Sequence, residues 1–172
     1  SYNRSVFNAY KSLVPAAAEL VEIKISDFPL YDGDLEDAQF PETVESAGEK
    51  IRSADGILIF SPEYNASIPG VLKNAIDWLS RLDDSPFAGK TAALLSASPG
   101  KLGGARMQYH LRQVAVPLDL RIINQPEVMI SAAHEQINAS GELTNESTLK
   151  FLKKHADLFF KRLSDQKSNA NS

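Results

Sequence analysis

Ile57-Leu58-Ile59-Phe60 is an unbroken apolar run, and Ser61-Pro62-Glu63-Tyr64-Asn65-Ala66-Ser67-Ile68 carries the chain from it to Pro69. A short apolar run bounded by Gly or Asp suits a strand buried on both faces. Pro69 opens a helix that carries Leu72, Ala75, Ile76, Leu79 and Leu82 at helical spacing. Strand, loop and helix in that order are one half of a parallel crossover unit. Outward from it the pattern repeats. Thr91–Leu95 is a second apolar run, and Ile122, Ile123, Val128, Met129 and Ile130 form a last strand interrupted around Pro126. Upstream, Glu19–Ile25 (ELVEIKI) alternates with period two and reads as a further strand.

Helical signals fall between these segments. Pro41 precedes Val44, Ala47, Ile51 and Ala54; Ala105–Leu118 places Met107, Leu111, Val114, Ala115 and Leu118 on one side. Asn145 caps a last helix with Leu149, Leu152, Ala156, Phe159, Phe160 and Leu163 as its core stripe. Asn3–Val14 reads as an opening helix stopped by Pro15. Strands alternating with helices imply an α/β fold with parallel strands and right-handed crossovers. Residues 1–164 read as one domain, and residues 165–172 as a polar, disordered tail.

Composition narrows the function. The 172 residues carry a net charge of −4, with 18 basic and 22 acidic residues mixed along the chain. Neither a basic excess nor a basic stripe points to nucleic acid, and no apolar run is long enough to span a membrane. With no cysteine, thiolate chemistry, disulfides and Cys-ligated zinc are excluded. His110, His134 and His155 show no metal-ligand spacing, so no metal site is expected. Asn3, Asn65, Asn138 and Asn145 each stand two residues before a Ser. With no signal peptide visible, these read as chance sequons in a cytoplasmic protein.

In open parallel sheets, ligands bind in the loops beyond the carboxyl ends of the strands. The loop after Phe60 offers the flat face of Tyr64 and the donors and acceptors of Asn65, which suits a planar, polar-edged heterocycle. A capped turn with a surface tyrosine fits the same spacing. The loop after Leu95, Ser96-Ala97-Ser98-Pro99-Gly100-Lys101-Leu102-Gly103-Gly104, has glycines that permit close approach of backbone to a ligand. It is neither a dinucleotide fingerprint nor a Walker loop, and is weak evidence by itself.

The string SPEYNASIPGVLKNAIDWLSR, Ser61–Arg81, resembles the signature of the NADPH-dependent FMN reductase family. Gly103–Gln113 (GGARMQYHLRQ) resembles the bacterial chromate/quinone reductase branch. The resemblance implies a flavodoxin-like three-layer sandwich with a five-stranded parallel sheet in order 2-1-3-4-5. It implies FMN at the strand ends. Pro62, Glu63, Tyr64 and Asn65 would edge the ring, with Ser98 and Gly100 on its far side. The family's phosphate loop follows its first strand, and Ser1-Tyr2-Asn3 looks like the end of that loop. The first strand and the start of the loop are therefore expected to be missing from this sequence. Of the ring-edge residues, Glu63 is given a positioning role.

The activity implied is hydride transfer from NADPH or NADH through bound FMN, in a ping-pong cycle, to a small acceptor: a quinone, chromate, an azo dye or a ferricyanide-type oxidant. No side chain is assigned as catalytic, since the flavin carries the chemistry. In the resembled branch Arg106, Tyr109 and Glu127 lie at an interface or acceptor cleft, which implies a homodimer or homotetramer. Three alternatives stay open on sequence: a reductase that releases reduced FMN, a non-enzymatic flavodoxin-type carrier, and a quinone-responsive interaction module.

Overall fold

The computed structural model describes residues 1–170. Among these, β1 (Gly56–Phe60) pairs in parallel with β2 (Thr91–Ala97), from Gly56 against Thr91 to Phe60 against Leu95. On the other side of β2 lie β3 (Arg121–Ile122) and β4 (Val128–Ile130). Ala92 faces Ile122 and Leu95 faces Val128, so three residues of β2 span six of its neighbour. β3 and β4 are therefore two pieces of one strand position, interrupted around Pro126 as the sequence predicts. Among the described residues the sheet has four strands, not five.

β2 is buried along its whole length, and its alternation separates two helical layers. Ala93, Leu95 and Ala97 pack with Val6 and Tyr10 of α1 (Tyr2–Lys11) and Leu152, Ala156 and Phe159 of the terminal helix. Ala92 faces Val44, Ala47 and Ile51 of α3 (Glu42–Ser53) and Ala75 and Trp78 of α4 (Gly70–Leu79). Leu94 faces Met107 and Leu111 of α5 (Ala105–Ala115). Helices thus cover both sheet faces, the layered arrangement that buries a parallel sheet. Two short helices, α2 (Gly33–Ala38) and α6 (Ala133–Gln136), complete the set before α7 (Glu146–Ala170).

Several expectations are corrected. Glu19–Ile25 is not a strand: the segment is irregular and ends in a 3₁₀ turn at Ile25–Asp27. Its alternation survives, since Ile23 and Ile25 still pack on the α3–α4 core. What it lacks is a neighbour to take its backbone hydrogen bonds, and a strand without one has nothing to hold it extended. α5 ends at Ala115 rather than Leu118, because Pro117 has no N–H to continue the ladder. Beyond Leu163 the chain does not fray into a tail. α7 continues to Ala170, held by Gln166 Nε2 donating to Thr91 Oγ1 at 2.6 Å and by Lys167 paired with Asp55 at 2.7 Å. Only residues 171 and 172 of the expected tail lie outside the described residues.

Candidate active site

Three elements meet at the carboxyl end of β2. The first is the start of α1. Ser1 is its N-cap and makes no side-chain capping bond, so the first amides of the helix are left without a side-chain acceptor. Asn3 fixes this end in place. Its Nδ2 donates to Ala97 O at 3.0 Å, and Ala97 N donates to its Oδ1 at 2.9 Å. The buried Asn3 amide therefore reads the last residue of β2 as a neighbouring strand would. The Asn3 side chain is therefore committed to the sheet, which leaves its backbone to face a ligand, and its burial agrees with reading Asn3 as a chance sequon. Ser1 is exposed and Tyr2 half-buried.

The second element is the loop after β1. Ser61 N continues the ladder to Leu95 O at 3.0 Å. Tyr64 and Ser67 then close a tight turn, each N–H donating to the other's carbonyl at 3.1 and 3.0 Å. Its two central residues, Asn65 (φ 48°) and Ala66 (φ 61°), are both left-handed. Asn tolerates that conformation; Ala holds it only under strain. The turn leaves Tyr64 61% exposed, while Glu63 points inward, its side chain only 8% exposed.

Glu63 fastens this loop to α5. Its carboxylate accepts from Arg106 N at 3.0 Å and Met107 N at 3.3 Å, the first free amides of that helix, and from Arg106 Nε at 2.7 Å. Arg106 Nη2 completes the ion pair. An anion at a helix N-terminus is favoured by the free amides and the dipole together. Burial pushes the Glu63 carboxyl up, but the Arg106 guanidinium and the two amides outweigh it and hold it below the ordinary glutamate range. One helical turn further on, Ser67 Oγ and His110 Nδ1 are hydrogen-bonded at 3.1 Å. The loop is thus pinned to α5 at residues 63 and 67, four apart, against residues 106 and 110, also four apart.

The third element is the glycine-rich loop. Ser98 N donates to Ile130 O at 3.0 Å and Gly100 N to Ser98 Oγ at 3.0 Å. Gly103 (φ +58°) and Gly104 (φ +93°) require glycine twice over. A Cβ on Gly103 would sit 2.7 Å from the Met129 carbonyl carbon, and one on Gly104 2.6 Å from Ser96 Cβ and Oγ. The close approach these two glycines permit is therefore to β4 and β2, not to a ligand. Ser98 and Gly100 remain on the outer part of the loop.

Arg106, Tyr109 and Glu127 do not meet as a trio. Arg106 pairs with Glu63, while Tyr109 Oη donates to Glu127 Oε2 at 3.2 Å and Arg112 approaches Glu127 Oε1 at 3.6 Å. Each of the three thus has a partner within this chain. Among the described residues no group of His, Asp and Glu could hold a metal, and no helix is long and apolar enough to cross a membrane. Of two surface depressions near 270 Å³, one lies away from the loops, between Lys24 and Lys50. The other is lined by Met129, Ser131, Gln136 and Phe151, at the carboxyl end of β4.

Residues to which the sequence assigned no role also hold these loops: Ser67, Ser96, His110 and Gln108. Gln108 had a sequence signal, a polar side chain between Met107 and Leu111 on the core side of a helix.

Residues 1–135 match the family described as NADPH-dependent FMN reductase. A quinone reductase of Escherichia coli strain K12 is 46% identical over 155 residues, covering 88% of this chain and 82% of that protein. An NAD(P)H-dependent FMN reductase of Pseudomonas aeruginosa is 49% identical over 146 residues, covering 85% and 79%. Among solved structures, the flavoenzyme NAD(P)H:(acceptor) oxidoreductase FerB of Paracoccus denitrificans superposes with a TM-score of 0.87 at 34% identity, covering 96% of this chain and 91% of its own. With a flavodoxin-like parallel sheet, the loops that such a sheet uses for ligands, and this degree of identity, the chain belongs to the NADPH-dependent FMN reductase family.

Proposed function

We propose that this chain is an FMN-dependent NAD(P)H oxidoreductase that reduces quinones and related small oxidants. The observation that carries it is the convergence of the uncapped start of α1, the Pro62–Asn65 loop and the Ser98–Gly100 loop at one end of the sheet. The donor set there fits FMN. The free amides of α1 and the Ser1 hydroxyl suit a phosphate. Loop amides beside the exposed Tyr64 ring suit a planar ring with polar edges. FMN, when bound, takes a hydride from the nicotinamide and passes electrons to an oxidant. The chain's own residues position it: Pro62, Glu63, Tyr64 and Asn65 form one wall, Ser98 and Gly100 the other, and Ser1, Tyr2 and the backbone of Asn3 the phosphate end. Glu63 acts through α5, by holding its loop against the helix. A cytoplasmic setting, where reduced nicotinamide nucleotides are regenerated, fits this chemistry.

The five-strand order 2-1-3-4-5 is part of the same proposal. β1, β2 and the β3–β4 pair take its last three positions, and Glu19–Ile25 becomes the outer strand once a strand lies beside β1. β1 is only half-buried throughout, as an edge able to take such a neighbour would be. The assembly proposed is a homodimer or homotetramer through the α5 face, which presents Tyr109 at 51% and Val116 at 77% exposure. Light scattering coupled to chromatography tests it; a monomer with full activity overturns it.

The functional test is the purified protein's colour and its turnover. A yellow protein that oxidises NADH or NADPH with a quinone, with parallel double-reciprocal lines, is the expected result. A colourless protein that needs free FMN as its acceptor would make it a flavin-releasing reductase. A yellow protein that oxidises neither nucleotide would make it a carrier.

A further inference from the structure

Gln108 is fully buried on the core face of α5. Its Nε2 uses both protons: one goes to Ser96 Oγ at 2.9 Å, the other to Val128 O at 2.8 Å. Ser96, equally buried on β2, passes its own hydroxyl proton to Gly103 O at 2.6 Å. The direction of the chain is fixed. Val128 O can only accept, so the amide nitrogen must face it, and Ser96 must then donate onward. The other end of the side chain is unsatisfied: Gln108 Oε1 has no partner among the described residues. A buried acceptor left unpaired is costly, and Met or Leu would fill the same volume without that cost. What Nε2 does must offset it.

We propose that Gln108 is the positioning residue of the glycine-rich loop, and that α5 through Gln108 and the Glu63-bound amides sets the spacing of both FMN-binding loops. The Ser98–Gly104 loop is tied at one end by Ser98 N to Ile130 O and by Ala132 N to Gly100 O, at 3.0 and 3.3 Å. Its other end is Gly103, whose carbonyl is held by Ser96 and, through Ser96, by Gln108. Release of that carbonyl frees the Gly103 peptide to rotate and the Pro99–Leu102 backbone to swing. The facing loop is held by the same helix, one and two residues earlier, through Met107 N and Arg106 N on Glu63. One rigid element therefore carries the registration of two walls. Gln108 touches neither substrate nor flavin; it acts through Ser96. This inference rests on the reading that Ser98 and Gly100 line FMN.

The test uses the holoprotein and its apo form, with Gln108→Met, Ser96→Ala and the double variant. Fluorescence titration gives FMN affinity, the visible absorption of bound flavin gives its surroundings, and thermal melting of the apoprotein gives stability. Each single variant is expected to weaken FMN by about tenfold and to change the shape of the flavin band; the double variant is expected to be no weaker than either. If Gln108→Met does not fold, Ser96→Ala carries the same expectation. Variants that melt earlier but keep wild-type affinity and spectrum would reduce Gln108 to a packing role and overturn the proposal. A separate control, Ser98→Ala with Gly100→Val, tests the underlying reading. Unchanged FMN affinity there removes the loop from the site, whereas lost affinity there with silent Gln108 and Ser96 variants removes only the positioning role.

Discussion

Replacement of Glu63 by Gln tests whether a single carboxylate joins the loop after β1 to α5. The substitution keeps the size of the side chain and one acceptor oxygen, but turns an NH₂ group toward the donors of Arg106 and Met107. An anion at a partly buried helix N-terminus is worth up to about 2 kcal/mol. A hydrogen bond to a charged group is worth about 1.5–3 kcal/mol, part of which the remaining amide oxygen retains. The Arg106 side chain is 56% exposed, so the ion pair itself adds less than about 1 kcal/mol. The expected loss is about 2 kcal/mol, or roughly 4–8 °C in melting temperature for a chain of this size. The apoprotein is the correct material, because bound FMN would add its own stabilisation. pH supplies the second readout. Glu63 is held below its ordinary value of 4.5 in the folded chain. Its stabilisation is therefore fully present above that value and lost as pH falls through the lower folded value. The curves of the wild type and of the Glu63→Gln variant should lie apart at neutral pH and converge in acid. Equal melting temperatures at neutral pH, with parallel curves below it, would refute the reasoning.

Further outcomes follow from the same contacts. Tyr64→Ala combined with Asn65→Gly, which preserves the left-handed turn, should weaken FMN at least tenfold in a fluorescence titration and leave the far-ultraviolet circular dichroism unchanged. Gly104→Ala should lower the urea midpoint by an amount equivalent to about 2–3 kcal/mol, because its Cβ would meet Ser96 at 2.6 Å and its φ is +93°. His155 is buried against Tyr10, 3.0 Å away, and burial lowers it from 6.5 to about 4. The neutral form is the folded form, so stability should fall as pH drops from 6.5 toward 4, and His155→Gln should flatten that slope in denaturation series across this window.

The fold was legible wherever its cause was local. The run Ile57–Phe60, the stripe on α7 and the Asn145 cap, where Thr148 N donates to Asn145 Oδ1 at 3.0 Å, each announce themselves within a few residues. Glu19–Ile25 shows the limit. Its alternation is real and its isoleucines face the core, yet a strand is a statement about a neighbour, and none of the described residues supplies one. The end of α7 failed for the opposite reason. Its composition is polar, so it read as a tail, but Lys161 reaches Asp165 four residues on at 2.7 Å, and Gln166 reaches Thr91, 75 residues away. Polar content says little about helicity when the polar groups are this well paired.

The rule that ligands lie beyond strand ends points to the two candidate loops, and it says nothing of what holds them. Glu63 meets Arg106 across 43 residues, and Gln108 meets Ser96 across 12 and Val128 across 20. Over such distances, spacing along the chain groups Arg106 with Tyr109, its neighbour on the helix, and not with Glu63, its partner in space. The same distances hide that Gly103 and Gly104 make room for β4 and for Ser96. Two loops that share one helix are not independent walls, and a change on α5 reaches both. Substitutions at Glu63 and at Gln108 act on adjacent residues of the same first turn, so their effects on FMN affinity should couple rather than add. If these loops hold FMN as proposed, a side chain that never touches the flavin would move it as far as one that does.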